Sequence, residues 1–184
     1  TQKYLVRTDR LGNRDMTWDV SNGFNAQVTD IQIDSSGNVY IAGDFGTYFG
    51  TSCGKLAKLT TNSTTLDASF NTNLGTGFNG IIQKIRLDIT RNRIYAVGNF
   101  TTVNGQSKKG LVALKLDGTI DTTFDVSGGF TDSIFSDTTP WTQKVMVDSN
   151  GKVYVTGYFS KYSGVYTGPF VRLNTDGTLD NYSV

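Results

Sequence analysis

The sequence contains no histidine and only one cysteine, Cys53. Without histidine the chain has no Ser-His-Asp or Cys-His nucleophile and no histidine-bearing zinc site. A single cysteine excludes a disulfide within the chain and does not indicate a redox compartment, so we expect Cys53 to be a small packing residue. No motif for a metal or a cofactor stands out, and we predict that the chain binds neither.

Excess charge and long apolar runs are also missing. Seventeen basic and sixteen acidic residues leave a formal net charge of +1, so the basic footprint of a nucleic-acid-binding protein is absent. No apolar run approaches the roughly 20 residues needed to cross a bilayer, and the first residues lack the apolar centre of a signal peptide. We therefore predict neither nucleic acid nor membrane insertion. Because the sequence begins with Thr1, we expect a processed chain or an excised piece.

What the sequence does contain is a repeat, the feature to be sought before any other. The pattern Tyr-x-x-Gly-x-Phe occurs three times, at steps of 55 and 59 residues. Three further patterns recur with it: a Gly-Phe pair, an Asp-x-x-aromatic element and a short apolar segment. The Gly-Phe pairs begin at Gly23, Gly77 and Gly129, the Asp-x-x-aromatic elements at Asp15, Asp67 and Asp121, and the apolar segments at Leu5, Leu56, Leu111 and Phe170.

Each repeat has the pattern of short β-strands. Apolar residues lie two apart, as at Ile31 and Ile33, which is strand spacing. A turn such as Asp34 to Gly37 follows, in which glycine supplies a positive φ and aspartate bonds the turn amides. The Tyr-x-x-Gly-x-Phe segment is expected to form the second strand. Two more strands follow it in each unit, the last around the Asp-x-x-aromatic element. No segment has a helical period with caps, so the predicted fold class is all-β.

Units of about 55 residues with four short antiparallel strands are typical of β-propeller blades. We predict a single repeat domain over residues 1–184, or a segment of a larger propeller, with about three and a half units: 1–18 (partial), 19–70, 71–124 and 125–184. A β-solenoid is the main alternative, although its coils are usually shorter.

The Tyr-x-x-Gly-x-Phe strand is predicted to lie between neighbouring blades, where neither face meets water. Such a strand is apolar throughout instead of alternating. Its glycine fits a place where backbones converge and no side chain has room, and the phenylalanine after it would fill the gap between blades. The glycines are Gly43, Gly98 and Gly157, and the phenylalanines are Phe45, Phe100 and Phe159.

The stretches "NVYIAGDF", "FTTVNGQSKKGLVALKLDGTIDTTFD", "VYVTGYF" and "VRLNTDGTLD" resemble the delta-60 repeat, a β-propeller repeat of bacterial surface proteins and phage tail proteins. The resemblance covers nearly the whole chain and is strongest in the middle unit. It implies a propeller fold and a location in a virion tail, outside the cell or at the cell surface. The recurrent residues are turn and core positions, so the resemblance implies no catalytic set.

The number of units suggests that the chain has partners. Closed propellers have about four to eight blades, so three and a half units do not close a ring. A blade face of four strands and five residues covers about 300 Å². If that face is apolar, leaving it in water forfeits about 7 kcal/mol. We therefore expect other copies, or other parts of a larger protein, to cover the open blade ends.

Two groups of side chains are candidates for chemistry. The repeated aspartates would serve an enzyme as acid/base pairs or a calcium site as ligands, but an aspartate present in every unit is better explained as a turn cap. A local basic cluster is interpreted as a solvated strand edge rather than a polyanion site; its members are Lys84, Arg86, Arg91 and Arg93.

Aromatic residues of the third unit form the second group. This unit carries an eight-residue insertion between its Gly-Phe pair and its first turn. Aromatic rings among Asn, Thr and Asp suit sugar rings, and the candidate ligand-binding residues are Phe135, Trp141, Tyr158, Tyr162 and Tyr166. In the alternative interpretation Tyr162 seals a contact between blades, and the insertion covers an end or a neighbour.

Three functions follow from these patterns. The first is a non-enzymatic structural or adhesive segment of a phage tail, contributing to virion assembly or to attachment to a host-surface glycan. The second is a carbohydrate-binding module of a bacterial secreted or cell-surface protein. The third, a hydrolase with paired aspartates, ranks last because no acidic pair stands apart from the repeat.

Overall fold

The structure is a computed structural model that describes residues 5–18, 20, 23–126, 128–131 and 140–181. Its regular elements are short strands, one α-helix and one 3₁₀ turn, Ile89–Arg91. The strands are β1 Val28–Ile33, β2 Val39–Gly43, β3 Thr47–Tyr48, β4 Thr51–Ser52, β5 Leu56–Leu59, β6 Ile82–Asp88, β7 Arg93–Gly98, β8 Thr102–Val103, β9 Gln106–Ser107, β10 Leu111–Lys115, β11 Phe130–Thr131, β12 Trp141–Val147, β13 Val153–Tyr158, β14 Lys161–Tyr162, β15 Val165–Tyr166 and β16 Phe170–Leu173.

Three antiparallel sheets repeat the same topology. Sheet 1 has the order β1-β2-β5, sheet 2 the order β6-β7-β10 and sheet 3 the order β12-β13-β16, so the Tyr-x-x-Gly-x-Phe strand is central in each. The first strand of every sheet carries a register shift at the same place, opposite the central glycine or next to it. The all-β expectation is thus confirmed, with small antiparallel sheets repeated along the chain.

The expected fourth strand of each unit is reduced to a single bridge. The bridges Leu59–Leu66 and Leu114–Ile120 stand where that strand was predicted, as do Leu173–Leu179 and, in the partial first unit, Thr8–Arg14. After three of these bridges the aspartate of the Asp-x-x-aromatic element accepts a hydrogen bond from an amide two or three residues on, and the chain leaves the ladder there.

The expectation that no helix would occur is wrong for residues 68–74. The α-helix Ala68–Leu74 begins after Asp67, whose carboxylate accepts a hydrogen bond from the Phe70 amide, and ends at Gly75. Phe70 and Leu74 lie on one face and are both buried. Two turns are too short to give a helical period in the sequence. The capping residue Asp67 is the sequence signal that indicates this helix. No described helix is long and apolar enough to cross a bilayer.

The three sheets pack in series, with β6 of sheet 2 contacting β1 of sheet 1 on one side and β12 of sheet 3 on the other. One apolar cluster fills the junction between sheets 1 and 2, and another fills the junction between sheets 2 and 3. A third cluster joins the partial unit, through Trp18, to sheet 1. Strand β7 is buried along its whole length, as predicted for a central strand between two neighbours.

Polar contacts also cross these junctions. The Asp30 carboxylate of sheet 1 accepts hydrogen bonds from the Lys84 ammonium at 2.7 Å and the Ile85 amide at 2.9 Å in sheet 2. At the next junction the buried Thr142 hydroxyl of sheet 3 contacts the backbone of Gly98 and Gly110. Each sheet is therefore fixed in register on its neighbour as well as packed against it.

Aromatic pairs close one end of each unit. The phenylalanine of each Gly-Phe pair packs on the phenylalanine that follows the central glycine. Ring centroids are 4.4 Å apart for Phe24–Phe45, 4.8 Å for Phe78–Phe100 and 4.4 Å for Phe130–Phe159. All six rings are buried, so the phenylalanines that recur in the sequence make contacts in the core.

Candidate functional site

The aspartates of the strand-connecting turns are occupied by their own turns. Asp34 accepts hydrogen bonds from the Ser36 and Asn38 amides, and Asp148 accepts them from the Asn150 and Lys152 amides. Burial raises the pKa of Asp34, but the hydrogen bonds from Asn38, Ser36 and Tyr40 together hold that pKa below its usual value. These geometries support the turn-cap interpretation.

The aspartate of each Asp-x-x-aromatic element is held by a nearby cation. In the partial unit the guanidinium of Arg7 lies 2.6 Å from the Asp15 carboxylate, and in the first full unit the Lys58 ammonium lies 3.0 Å from Asp67. Hydrogen bonds from the Thr17 side chain and from Arg7 lower the pKa of Asp15 to about 2. In both units the cation also lies over the aromatic ring of the same element. The result is a repeated group of cation, carboxylate and ring.

The third of these groups is built differently. The position of Lys58 is occupied by Ala113, and Arg93 supplies the cation from the start of the neighbouring strand. Its guanidinium Nε lies 2.6 Å from Asp121, and its carbon lies 5.5 Å from the centroid of Phe124. A second guanidinium nitrogen donates to the Thr175 carbonyl at 2.6 Å, so this group also ties sheet 2 to the last turn of sheet 3.

The other carboxylates that the structure describes also have partners. Each described aspartate accepts a hydrogen bond or lies in an ion pair with another residue. Among the described residues no group of three histidine, cysteine or acidic side chains is placed to hold a metal ion. Cys53 is buried, and burial raises the pKa of its thiol to about 12, far from the range of a reactive thiolate.

A polar cleft of about 710 Å³ opens where the turns of sheets 2 and 3 meet. Arg91 and Arg93 line it, but Arg91 bonds Asp88 and the Ser149 carbonyl, and Arg93 is held in the group with Asp121. These two members of the predicted basic cluster are thus committed to internal contacts.

The five aromatic candidates do not form one site. Tyr162 is only 2% exposed: its ring packs on Phe130, its hydroxyl donates to the Gly177 carbonyl, and burial raises its pKa. It therefore belongs to the core, as in the alternative interpretation. Phe135 lies outside the described residues. Tyr166 is exposed, with the Lys161 ammonium 4.6 Å from its ring centroid.

Trp141 and Tyr158 are brought together. They face each other across β12 and β13, with ring centroids 6.0 Å apart in an edge-to-face arrangement. Trp141 is 50% exposed and Tyr158 64% exposed, so most of the pair's apolar surface meets solvent. The pair is therefore the part of the five-residue prediction that the structure brings together at the surface.

The outer face of sheet 3 continues from this pair. We define the open face as Lys144, Met146, Tyr154, Thr156 and Phe170, which together with Val147 and Asp148 line a mostly apolar groove of about 450 Å³. The rings of Tyr154 and Phe170 lie 6.2 Å apart at its floor. Tyr154 and Phe170 are not among the aromatic candidates predicted from the sequence. Their equivalents in sheet 1, Tyr40 and Leu56, are core positions, and that equivalence is the sequence signal that identifies an uncovered face.

Comparison with protein-family models gives one match, whose description is "Domain of unknown function (DUF5122) beta-propeller". It matches residues 35–70, 92–124 and 149–181, which is more than half of the chain and one segment in each full unit. No curated protein and no solved structure matches the chain. The repeated sheets and the extent of the match lead to one assignment: the chain belongs to this β-propeller family.

Proposed function

We propose that the chain is a non-enzymatic propeller segment of the delta-60 repeat type, serving as a structural or adhesive part of a phage tail. The observation that carries the non-enzymatic part is the state of the carboxylates. The repeated aspartates are committed to turns and ion pairs, which leaves no described pair available as acid and base. The delta-60 resemblance of the sequence supports the virion tail.

The adhesive part of the proposal rests on the Trp141–Tyr158 pair. Two large rings are exposed side by side at the end of sheet 3, whereas most aromatic side chains of the described chain are buried. Aromatic residues of this kind carry much of the energy in binding sites. A host-surface glycan is the ligand class that fits, with ring faces packing on the pair.

A second candidate function, a carbohydrate-binding module of a bacterial secreted or cell-surface protein, is favoured by the same pair. The two functions differ in what is bound. A tail component recognises the envelope of particular host strains, whereas a secreted module binds a purified polysaccharide whatever strain produced it.

Binding of the labelled chain to a panel of bacterial strains and to their purified surface polysaccharides tests both functions. We expect Trp141→Ala to weaken binding by about tenfold or more, the usual cost of removing an aromatic anchor. Phe49→Ala is the matched control because Phe49 is exposed on a hairpin of the first full unit, and it should bind like the unaltered chain.

Strain-restricted binding supports the tail component, and binding to polysaccharides irrespective of strain supports the secreted module. If Trp141→Ala binds as well as the unaltered chain, the pair is not the site. If no strain and no polysaccharide is bound, the adhesive role is withdrawn.

A further inference from the structure

The open face of sheet 3 is the face that the other two sheets bury. The residues equivalent to Tyr154 are Tyr40 in sheet 1 and Tyr95 in sheet 2, and both lie fully buried in junctions with the following sheet. Phe170 is 42% exposed, whereas its equivalents are fully buried, namely Leu56 and Leu111. Residue types that belong to the core in sheets 1 and 2 therefore occupy solvent-exposed positions in sheet 3.

We propose that the open face docks a further complete unit of the same repeat, seated as sheet 2 seats on sheet 1. This inference deepens the assembly role proposed above and rests on it. The internal junctions define the partner's chemistry. It presents an aliphatic residue at the position of Ile85 and Val145, the buried first-strand residues that sheets 2 and 3 bring to their junctions.

Charge favours one kind of partner. Asp30, Lys84 and Lys144 occupy the same position in the three sheets, and Asp30 pairs with Lys84 across the first junction at 2.7 Å. The second junction forms with lysine on both sides, so this ion pair is favourable but not required. Lys144 lines the open groove. A following unit with aspartate at that position would place a carboxylate beside Lys144, and the first full unit of this chain has such an aspartate.

The size of the face argues against a freely diffusing second copy. About 300 Å² on each partner is well below the 1,200–2,000 Å² in total that stable interfaces bury. A second copy would also meet an obstacle: residues 5–18 and Trp18 already cover part of the face of sheet 1 that would have to dock. A tethered repeat has neither difficulty, because tethering supplies a high effective concentration.

Thiol labelling tests the proposal on the full chain with a second copy of residues 19–70 appended after Val184. In this background Phe170→Cys places a thiol on the open face. The native Cys53 is buried, and the cysteine that the appended copy repeats is replaced by alanine, so that only the new thiol reacts. We expect maleimide to label the Phe170→Cys thiol at least about tenfold more slowly with the appended unit than without it. Tyr166→Cys, exposed away from the open face, is the control and should label equally fast in both chains.

A charge placed at the aliphatic position of the junction makes the test specific. Ile31→Asp in the appended copy, at the position of Ile85 and Val145, should restore fast labelling. Equal labelling with and without the appended unit overturns the proposal. So does protection in the chain without the appended unit that grows with protein concentration, because that result identifies a second copy as the occupant. None of these outcomes depends on whether the Trp141–Tyr158 pair binds a glycan.

Discussion

Gly98→Ala is expected to unfold the chain or to lower its free energy of unfolding by about 3 kcal/mol or more, at the upper end of overpacking effects. Gly98 lies in the middle of sheet 2, where the first strand bulges toward it. A Cβ built on Gly98 would overlap the Ile81 carbonyl oxygen and lie 3.0 Å from the Ile82 Cα. Both obstacles are backbone atoms, which cannot rotate away as a side chain can, so the sheet itself has to distort.

Gly46→Ala is the matched control for this prediction. Gly46 follows the equivalent strand of sheet 1, and the nearest atom to a built Cβ is 3.9 Å away, an ordinary contact. Urea unfolding followed by circular dichroism should show Gly46→Ala close to the unaltered chain and Gly98→Ala far below it. Equal stability of the two variants would contradict the close approach of the strands at Gly98.

Arg93→Asn is expected to lower the free energy of unfolding by about 3–5 kcal/mol, the usual cost of removing one partner of a buried ion pair. Arg93 and Asp121 are both buried, and the guanidinium also donates to the Tyr95 hydroxyl and the Thr175 carbonyl. Burial raises the pKa of Asp121, but hydrogen bonds from Thr123 and Arg93 hold it below its usual value. Asparagine is the residue at the equivalent position of the preceding unit, Asn38.

The repeat itself supplies a rescue for this variant. Where sheet 2 has Ala113, sheet 1 has Lys58, which pairs with its own aspartate at 3.0 Å. Ala113→Lys should therefore restore part of the stability lost in Arg93→Asn, although it destabilises the unaltered chain, where Arg93 already fills the place. A double-mutant cycle measured by urea unfolding checks this coupling. If the effects of the two changes on the free energy of unfolding simply add, a lysine at position 113 does not replace Arg93 as the partner of Asp121.

The repeat could be predicted from the sequence because its residues act through the backbone. Gly43, Gly98 and Gly157 recur since any Cβ would meet a neighbouring strand, and Phe45 and Phe100 recur since they fill the same gap. Such requirements are local and are the same in every unit, so the same residue recurs at the equivalent position of each unit. The three-sheet series and its buried central strands follow from them.

Other features could not be predicted because they depend on contacts between distant residues. The cation of the second full unit is supplied by Arg93 instead of the position of Ala113. Only the fold shows that both positions adjoin Asp121, Arg93 through its guanidinium and Ala113 through its backbone carbonyl. Tyr162 and Tyr158 look equally suited to a ligand in the sequence, but one ring packs under Phe130 and the other faces solvent. The helix Ala68–Leu74 is too short to give a period of its own.

The central claim is that successive sheets pack face to face and contact each other through their first strands. The contact that reports this most directly is the hydrogen bond from the Ile85 amide of sheet 2 to the Asp30 carboxylate of sheet 1, 2.9 Å long. Amide hydrogen exchange measured by NMR should show Ile85 protected in the unaltered chain. In Asp30→Ala its exchange should be at least about tenfold faster, while other sheet 2 amides change little. An Ile85 amide that exchanges at the same rate in both chains would contradict the seating of one sheet on the next.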